Sequence, residues 1–538
     1  MATLRCCLPE VLDIIVEHLV IAIGIQKAVL LRTVSRAFDA AIMYAVCTRQ
    51  VIDIEDPATR HLLYRMGRRL RGKVLLQKSR TASASSEAYL QVIAKVNRAL
   101  DLLLADTGPG ETLARHETVA ESVVLANYEL KIDEFELQNL LSGAAITGSI
   151  AVVKLVLLRG GSSSAEVMLN ATTPYFPSPL SLAAANGHHD LVQYLLDQGA
   201  HLATEENMWR RGSDLMHEPS DWNVHCDSGH CRILQGPQLS ALPAAVAGGH
   251  SDIVRLLLQP EHRSPTNSLE YPRAIVSGAR SGRLSLIKML FEVIGKRMSD
   301  FDLLAEYMMW EAVRGDQEEV VQMLLAEGVD LNAFPNRPSW WHHFGALHLA
   351  ASLNRTRLVK LLLDRGADPN LGRPRSEYGA LPIEGAAIHG QEEAMNILLS
   401  YGADPARAFW GAAYGGQPRL MADLLSRFPD LTDVSVLRTC LDFAMKSCNL
   451  KAMTILVEAG VPLNDAFYDD DGKYRASPID LAVEWHGWTW VIEHLISLGA
   501  RPKTAYNEYD DSGRWRGHNS HGRGILLSKR TWNWVGKY

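Results

Sequence analysis

The residues with the clearest potential for chemistry are histidines and cysteines near the middle of the chain. His225, Cys226, His230 and Cys231 fall within seven residues, and His217 lies shortly before them. Imidazole and thiolate groups are the side chains that commonly bind zinc. Structural zinc sites usually separate their ligand pairs by a dozen residues or more, and adjacent His-Cys pairs would strain a tetrahedral site. Two interpretations stay open: a weak zinc site, or a polar surface loop that takes part in binding.

The rest of the sequence offers no complete catalytic signature. It has no phosphate-binding loop ending in Gly-Lys-Ser or Gly-Lys-Thr, no Gly-x-Ser-x-Gly elbow, no dinucleotide-binding glycine pattern and no His-Glu-x-x-His pair. We therefore predict that the protein is not an enzyme and uses no cofactor. An enzyme built around the His/Cys segment stays as the least favoured alternative.

A unit of two short helical segments repeats along most of the chain. Each copy has a small apolar segment, a turn residue, and then an amphipathic segment with helical spacing, such as Leu191, Tyr194 and Leu195. The backbone at the turn needs a positive φ, which glycine adopts easily and cysteine does not. The predicted turn residues are Gly148, Gly187, Gly248, Gly282, Gly315, Asn354, Gly390, Gly416, Cys448 and Gly487.

Two intervals between these turn residues are irregular. The 61 residues from Gly187 to Gly248 contain an insertion at 204–236, which holds the His/Cys segment. The 26 residues from Gly390 to Gly416 are too few for a full repeat. The sequence leaves open whether the copies at Gly416 and Cys448 are folded units or breaks in the array.

Three segments show which repeat family is involved. Their sequences are Ser-Pro-Leu-Ser-Leu-Ala at 178–183, Gly-Ala-Leu-His-Leu-Ala at 345–350 and Ser-Pro-Ile-Asp-Leu-Ala at 477–482. They resemble Thr-Pro-Leu-His-x-Ala, which opens the first helix of ankyrin repeats. The resemblance covers 141–505 and implies an all-α fold, an ankyrin-repeat solenoid of about nine or ten units with a small N-terminal helical module. It also implies a partner protein on the concave face, which the first helices and the loop tips would line.

The first 50 residues form a separate module with its own pattern. Leu8 and Pro9 begin a predicted helix, and Leu30, Val34 and Phe38 lie on a second one. This arrangement resembles an F-box, a motif that docks the adaptor subunit of a cullin-type ubiquitin ligase. By resemblance these five residues would contact the adaptor or form the core of the motif. The other interpretation is a helical cap on the repeat array.

Residues 51–140 connect this module to the repeats. A basic run from Arg65 to Arg80 is either a nuclear-import signal or a solvated helix face. We predict helices at 87–104 and 117–141 in the same connector.

Aromatic residues mark two further places. Trp340, Trp341 and His342 lie in a loop before a repeat, where exposed aromatic side chains often anchor a partner. The alternative is that they fold down on the neighbouring repeat. Residues 506–538 are predicted to form a polar linker and an aromatic tail.

Composition bounds the remaining possibilities. The formal net charge is −7 and the isoelectric point is near 6.3, which disfavours direct binding to nucleic acid. The seven cysteines show no pairing pattern, and no early apolar stretch is long enough to span a bilayer. We expect a monomer in the cytoplasm, the nucleus or both, without membrane contact.

These features favour a protein-binding scaffold, in one version an F-box-type substrate receptor of a ubiquitin ligase. The alternative is a transcription coregulator of fungal type that accompanies a pathway-specific regulator.

Overall fold

The computed structural model describes most of the repeat region and parts of both ends. The described residues are 16, 20, 41–42, 45–46, 68–80, 87–104, 108–123, 135–161, 165–202, 240–266, 268, 270–301, 304–332, 345–372, 381–464, 467–468, 474–475, 477–484, 489–501, 515–518 and 524–527. The chain divides into two compact units, Met1–Leu304 and Ala305–Tyr538.

The regular elements in the described part of the first unit are all helices. Its helices are α1 (Arg68–Arg80), α2 (Ala88–Leu103), α3 (Pro109–Ser122), α4 (Glu136–Thr147), α5 (Ile150–Gly160), α6 (Ala165–Asn170), α7 (Pro179–Asn186), α8 (His189–Asp197), α9 (Ala241–Gly248), α10 (Ser251–Leu257), α11 (Glu270–Ser281) and α12 (Leu284–Ile294), followed by a 3-10 turn at Met298–Asp300. From α4 onward most helices pair as the first and second helix of a repeat. First helices pack on first helices, as in α7, α9 and α11.

The second unit continues the same arrangement. Its helices are α13 (Leu304–Gly315), α14 (Glu318–Ala326), α15 (Ala346–Ser352), α16 (Thr356–Asp364), α17 (Pro382–Ile388), α18 (Glu392–Ser400), α19 (Pro405–Tyr414), α20 (Pro418–Arg427), α21 (Val434–Lys446), α22 (Leu450–Glu458), α23 (Pro478–Glu484) and α24 (Thr489–Ser497), with a 3-10 turn at Pro429–Thr432. The first helices α15, α17, α19 and α21 pack on one another in order. Alanine and leucine side chains fill the layer between them.

Two short antiparallel hairpins accompany the helices. Strands β1 (Phe467–Tyr468) and β2 (Tyr474–Arg475) pair before the last repeat, and β3 (Trp515–His518) pairs with β4 (Gly524–Leu527). The second hairpin lies where the sequence suggested only a linker and a tail. Its register matches Trp515 with Leu527 and His518 with Gly524.

The connector differs from its prediction in one respect. Helix α2 agrees with the expected helix at 87–104, but α3 begins at Pro109 rather than near 117 and ends at Ser122. Pro109 occupies the first position of α3, where the missing N–H costs nothing. That Gly-Pro start is the signal that the prediction overlooked.

The turn residues are the most regular feature of the repeats. Predicted glycines such as Gly187 and Gly416 have φ values of 81° and 62°. Two predictions were wrong by one residue, because the left-handed positions are Gly249 and Asp316 rather than Gly248 and Gly315. The aspartate adopts φ 59°, which aspartate tolerates better than most residues do.

A ladder of polar side chains follows the turns. At most turns, the residue after the turn residue reaches back to a carbonyl oxygen of the preceding repeat's first helix. Gln317 instead donates to the Gly315 oxygen of its own helix. His188 contacts the Ile146 oxygen at 2.8 Å, and Gln417 donates to the Ile388 oxygen at 3.2 Å. These bonds satisfy carbonyl groups that a helix end leaves without a partner.

A second ladder uses asparagines between the repeats. Asn370 donates from Nδ2 to the Gly402 oxygen at 2.9 Å and accepts from the Asp404 amide at 3.2 Å. Asn332 makes the same pair of contacts with Gly366 and Asp368. Asn170 and Asn464 repeat it elsewhere in the chain. Each asparagine therefore connects two neighbouring repeats through both of its amide atoms.

The short interval before Gly416 contains a complete pair of helices. The four residues 401–404 join α18 directly to α19. The interval is short because it lacks the long loop between repeats, and both helices are present. The unit at Cys448 is also folded, as α21 and α22. The expectation that 26 residues are too few for a full repeat was wrong for this reason.

We predict that Cys448→Gly stabilises the second unit. Cys448 has φ 58°, a conformation that costs a side chain with a Cβ about 1–2 kcal/mol. Glycine removes this cost, but it also has greater conformational freedom in the unfolded chain. The net increase in the free energy of unfolding is therefore about 0.5–1 kcal/mol. Thermal unfolding should show a higher midpoint for Cys448→Gly, and a smaller change for Asn354→Gly, because asparagine tolerates this conformation. An unchanged midpoint for Cys448→Gly would contradict the prediction.

Among the helices that the structure describes, none is both long and apolar enough to cross a bilayer.

Candidate partner-binding surface

The residues singled out in the sequence as binding or metal candidates lie outside the described residues. This holds for the F-box-like positions Leu8, Pro9, Leu30, Val34 and Phe38, for the possible zinc ligands His225, Cys226, His230 and Cys231, and for Trp340, Trp341 and His342. Within the part of the chain that the structure describes, no group of three or more His, Cys, Asp or Glu residues could hold a metal ion.

Fragments of the N-terminal module are described. Val16, Val20, Ala41 and Ile42 are helical and almost fully buried, as are Ala45 and Val46. Apolar burial at these positions shows that two separated stretches of the module contribute to a hydrophobic core.

The basic run lies largely on α1. Arg71 is buried, and the apolar residues Val74, Leu75 and Leu76 are buried beside it, whereas Lys73 is exposed. Gly67, Gly72 and Lys73 have the spacing of the Gly-x4-Gly-Lys phosphate-binding loop. That loop continues with serine or threonine, whereas Val74 stands here, and Gly72 and Lys73 lie inside helix α1. A Cβ on Gly72 would collide with Glu121, so α1 and α3 are in close contact there. This part of the run is one face of a packed helix.

The second unit has a cluster of aromatic and basic side chains on its first helices. Helices α19 and α21 contain 10 and 13 residues, whereas α15 and α17 contain 7 each. The additional residues of α19 and α21 lie at the N-terminal end of each helix, and the loops that precede these two helices are short. In α19 this added turn carries Arg407, three residues before Trp410. We call Arg407, Trp410, Tyr414 and Phe443 the Trp–Arg surface.

Arg407 is held in place from two sides. Its Nη1 donates to Glu384 Oε1 at 2.9 Å, and its guanidinium lies over the ring of Trp410 at 4.5 Å from the centroid. The Glu384 side chain is 7% exposed, and its other oxygen accepts from the Leu381 amide at the start of α17 at 3.2 Å. The Arg407 side chain is 41% exposed. The arginine is therefore ordered yet open to solvent.

Trp410 sits at the centre of the aromatic part. Its ring centroid lies 6.0 Å from that of Phe443, and Phe443 meets Tyr414 edge to face at 6.4 Å. Trp410 and Phe443 are half-buried, and Tyr414 is 36% exposed. The buried Nε1 of Trp410 finds no acceptor in the portion of the molecule described. Offset and edge-to-face contacts of this kind fix the ring positions.

A related pair occurs on α13. Arg314 lies over Trp310 at 4.9 Å, and its Nε lies 3.8 Å from the Glu311 carboxylate, which is 2% exposed. Trp310 and Trp410 occupy the same position, six residues before the left-handed turn residue. The pattern of a tryptophan beneath an arginine whose carboxylate partner is buried therefore occurs twice.

His348 takes the place of tryptophan in the α15 repeat. It is 8% exposed, and its Nδ1 lies 3.1 Å from the Leu381 oxygen of the next repeat. Burial lowers the pKa of His348 to about 4, and the Leu381 hydrogen bond opposes that shift only in part. The side chain is a neutral link between repeats at physiological pH.

We predict that His348 makes the second unit sensitive to acid. The unfolded chain binds a proton at His348 below pH 6.5, while the folded chain stays neutral until about pH 4. The stability contributed by the neutral histidine is thus complete above pH 6.5 and is lost as the pH falls towards 4. At pH 5 the loss should be about 2 kcal/mol. Urea unfolding at pH 7.5 and pH 5 should show a smaller pH effect for His348→Gln, and an equal effect in both chains would refute this.

We also predict that Arg407 and Glu384 depend on each other. Arg407→Met leaves a buried carboxylate without its cation and should destabilise the second unit by about 2 kcal/mol. The double variant Glu384→Gln with Arg407→Met removes both charges and keeps an acceptor for the Leu381 amide, so it should recover most of that loss. Chemical denaturation of four chains, the parent, Arg407→Met, Glu384→Gln and the double variant, measures the coupling. If the double variant loses as much unfolding free energy as the two single variants together, the pair is not coupled.

Helix α21, which carries Phe443, also contains a cysteine. Cys440 is fully buried, and burial raises the pKa of its thiol well above the usual range, so it is not a nucleophile. The groups that this surface presents to solvent are the guanidinium of Arg407 and the rings of Trp410, Tyr414 and Phe443. Tryptophan, tyrosine and arginine are the residues that dominate the energetics of protein interfaces.

Comparison with protein families identifies the repeats. The model for three copies of ankyrin repeats matches 308–408, and the model for a single ankyrin repeat matches 178–206. The chain contains ankyrin repeats. The first match runs from α13 into α19 and includes Arg407. Ankyrin repeats point to a role in protein–protein interaction.

Several curated proteins match part of the chain. An ankyrin repeat and KH domain-containing protein, mask-1 of Caenorhabditis elegans, is 28% identical over 302 residues, which are 48% of this chain and 11% of that protein. The E3 ubiquitin-protein ligase KEG of Arabidopsis thaliana is 34% identical over 97 residues, 17% of this chain and 6% of the ligase. The human BCL-6 corepressor-like protein 1 is 31% identical over 127 residues, 23% of this chain and 6% of that protein. The chain spans 11% or less of the length of these relatives.

Among solved structures, the human ASB11 ankyrin repeat domain aligns with a TM-score of 0.27 at 21% identity, over 38% of this chain and 88% of that one.

Proposed function

We propose that this protein is a binding scaffold and that the Trp–Arg surface of its second unit holds a partner protein. The observation that carries the proposal is the stack of Arg407 on Trp410, fixed from below by the buried Glu384. A structural role alone does not require a guanidinium that is 41% exposed above an aromatic ring.

The position of the stack supports the same conclusion. It lies on first helices lengthened by a turn, at the end where the loop between repeats is short. A partner that approaches α19 and α21 there meets ordered side chains, because their rotamers are already restrained by ring and ion-pair contacts. Such ordering lowers the entropy cost of binding.

Photo-crosslinking tests this proposal directly. A photoreactive phenylalanine analogue at position 414 should capture a partner in cells, because Tyr414 borders Phe443 and is exposed. The same analogue at position 360 is the matched control, since Lys360 is exposed on the second helix α16 of the same unit. Capture at 360 but not at 414 would count against the proposal.

A finer proposal concerns ubiquitin ligation. The F-box-like pattern of residues 1–50 and the buried helical positions at Val16 and Ile42 support a module that presents the bound partner to a ligase. One relative is named as an E3 ligase, although the likeness lies in 97 residues. Affinity purification of the full chain and of a chain lacking residues 1–50 tests this. A ligase adaptor and a cullin recovered only with the full chain would support it, and the same partners from both chains would oppose it.

The alternative is a transcription coregulator, for which the corepressor-like relative is the supporting observation. It predicts nuclear accumulation that depends on the basic run. Substituting the exposed cations Arg69, Lys73 and Arg80 with glutamine should then move a tagged chain to the cytoplasm, while Arg71 is left intact because it is buried. Cytoplasmic location of both chains would oppose this alternative.

A further inference from the structure

Among the described residues, the guanidinium of Arg407 makes one side-chain hydrogen bond and one ring contact. Of its donors, Nη1 bonds to Glu384, and the described residues supply no acceptor for the remaining N–H groups. An arginine has five such donors in a planar fork, which matches the two oxygens of a carboxylate. Because Glu384 and Trp410 fix the plane of the group, these donors are oriented before any ligand arrives.

The arrangement of charge points in the same direction. In both tryptophan-containing clusters the carboxylate is more buried than the cation. The exposed fraction of the side chain is 7% for Glu384 against 41% for Arg407, and 2% for Glu311 against 18% for Arg314. An approaching ligand therefore meets cations first.

Other acidic groups near these helix starts are already engaged. Asp404 and Asp433 cap α19 and α21 by accepting from the Ala406 and Ser435 amides, at 2.9 and 2.7 Å. Further along α21, Asp442 pairs with Lys446 at 3.0 Å. None of these carboxylates is bonded to Arg407.

A cationic ligand fits these contacts less well. One could bind to the face of Trp410, since ammonium groups favour aromatic faces. Arg407 already occupies a face of that ring at 4.5 Å, and the ring of Phe443 packs against those of both Trp410 and Tyr414.

From this geometry, and resting on the proposed function, we infer that the partner presents an acidic segment to the Trp–Arg surface. A carboxylate of the segment accepts hydrogen bonds from Arg407, and an adjacent apolar or aromatic side chain covers Trp410 and Tyr414. The surface thus recognises a negative charge next to a hydrophobic side chain. Neither a uniformly acidic nor a uniformly apolar partner provides this combination.

A labelled random copolymer of glutamate and tyrosine is the probe for this inference. The full chain carries a formal net charge of −7, so general attraction to an acidic polymer is not expected, and binding would report a local site. Fluorescence anisotropy should show saturable binding that weakens as salt rises. A lysine–tyrosine copolymer serves as the charge-reversed probe.

Two variants assign the binding to the surface. The Glu384→Gln/Arg407→Met chain should bind the glutamate–tyrosine copolymer at least 10-fold more weakly. If that chain does not fold, Arg407→Lys keeps the charge but loses the planar fork, and it should also weaken binding about 10-fold. Circular dichroism confirms the fold of each chain.

The outcomes separate the inference from the proposed function. Three results would each overturn the acidic-segment inference. The parent chain does not bind the glutamate–tyrosine copolymer, or the variants bind it as tightly as the parent chain does. The third is a preference for the lysine–tyrosine copolymer that Trp410→Ala abolishes. If crosslinking at position 414 still captures a partner, the surface binds a protein by different chemistry. If both experiments fail, the proposed function fails as well.

Discussion

The second unit should unfold at a much lower denaturant concentration when Gly415 is replaced by alanine. Gly415 has φ −75°, so the backbone would accept any residue, and the effect is purely steric. A Cβ there would overlap the backbone carbonyl of Ile388 at the end of α17. Backbone cannot move aside as a side chain can, and we expect a loss of about 3 kcal/mol or more.

A matched glycine in the same unit shows whether this loss is specific. Gly345 precedes α15 with φ −67°, and no atom of the described residues, its chain neighbours aside, lies within 4 Å of the place its Cβ would occupy. Gly345→Ala should cost about 1 kcal/mol or less, since alanine is only a poorer helix cap than glycine. Similar losses for both variants in urea unfolding would mean that α17 and α19 do not approach as closely as the structure shows.

Replacing Trp410 with alanine should cause the largest loss of partner binding. The indole supports Arg407 on one side and contacts Phe443, so its removal eliminates an apolar contact and releases the guanidinium from its fixed position. Central aromatic residues of interfaces contribute about 2 kcal/mol or more, which corresponds to at least a roughly 30-fold weaker affinity. The affinity for the partner captured by crosslinking is the quantity to measure.

Tyr401 offers a matched aromatic control. It is 39% exposed and follows the second helix α18, where its hydroxyl bonds to Asp364. Tyr401→Ala removes a comparable exposed ring from the same unit and should change the affinity less than about threefold. Comparable losses for the two variants would show that partner binding does not centre on Trp410.

Helix pairs and their turns were predictable because their signals are local. A positive φ at Gly187, and small residues before it, arise from steric requirements within a few neighbouring residues. The errors at Gly248 and Gly315 arose where two adjacent residues could both serve, and where an aspartate took the position instead of the nearby glycine. The asparagine ladder had a usable signal as well, since Asn332, Asn370 and Asn464 each stand four residues after a Gly-Ala or Gly-Val glycine.

The Trp–Arg surface could not be found in the same way. Its members lie on two neighbouring first helices, with Arg407, Trp410 and Tyr414 on α19 and Phe443 on α21. The carboxylate that holds Arg407 comes from a third repeat, since Glu384 lies on α17. Their proximity depends on the short link 401–404, which sequence analysis interpreted as a truncated repeat. The early start of α19 did have a local signal, because Asp404 caps the helix and Pro405 occupies its first turn. That signal does not report which side chains of other repeats lie beside the added turn. The metal, F-box-like and loop-tryptophan predictions lie outside the described residues and stay predictions.

Hydrogen–deuterium exchange of the full chain, with and without the captured partner, tests the central claim most directly. If the Trp–Arg surface is the binding site, the partner should slow amide exchange in α19 and α21, at 405–414 and 434–446, and leave the second helices α16 and α18 unchanged. Slower exchange confined to the second helices, or to the insertion at 204–236, would contradict the account and place the partner elsewhere.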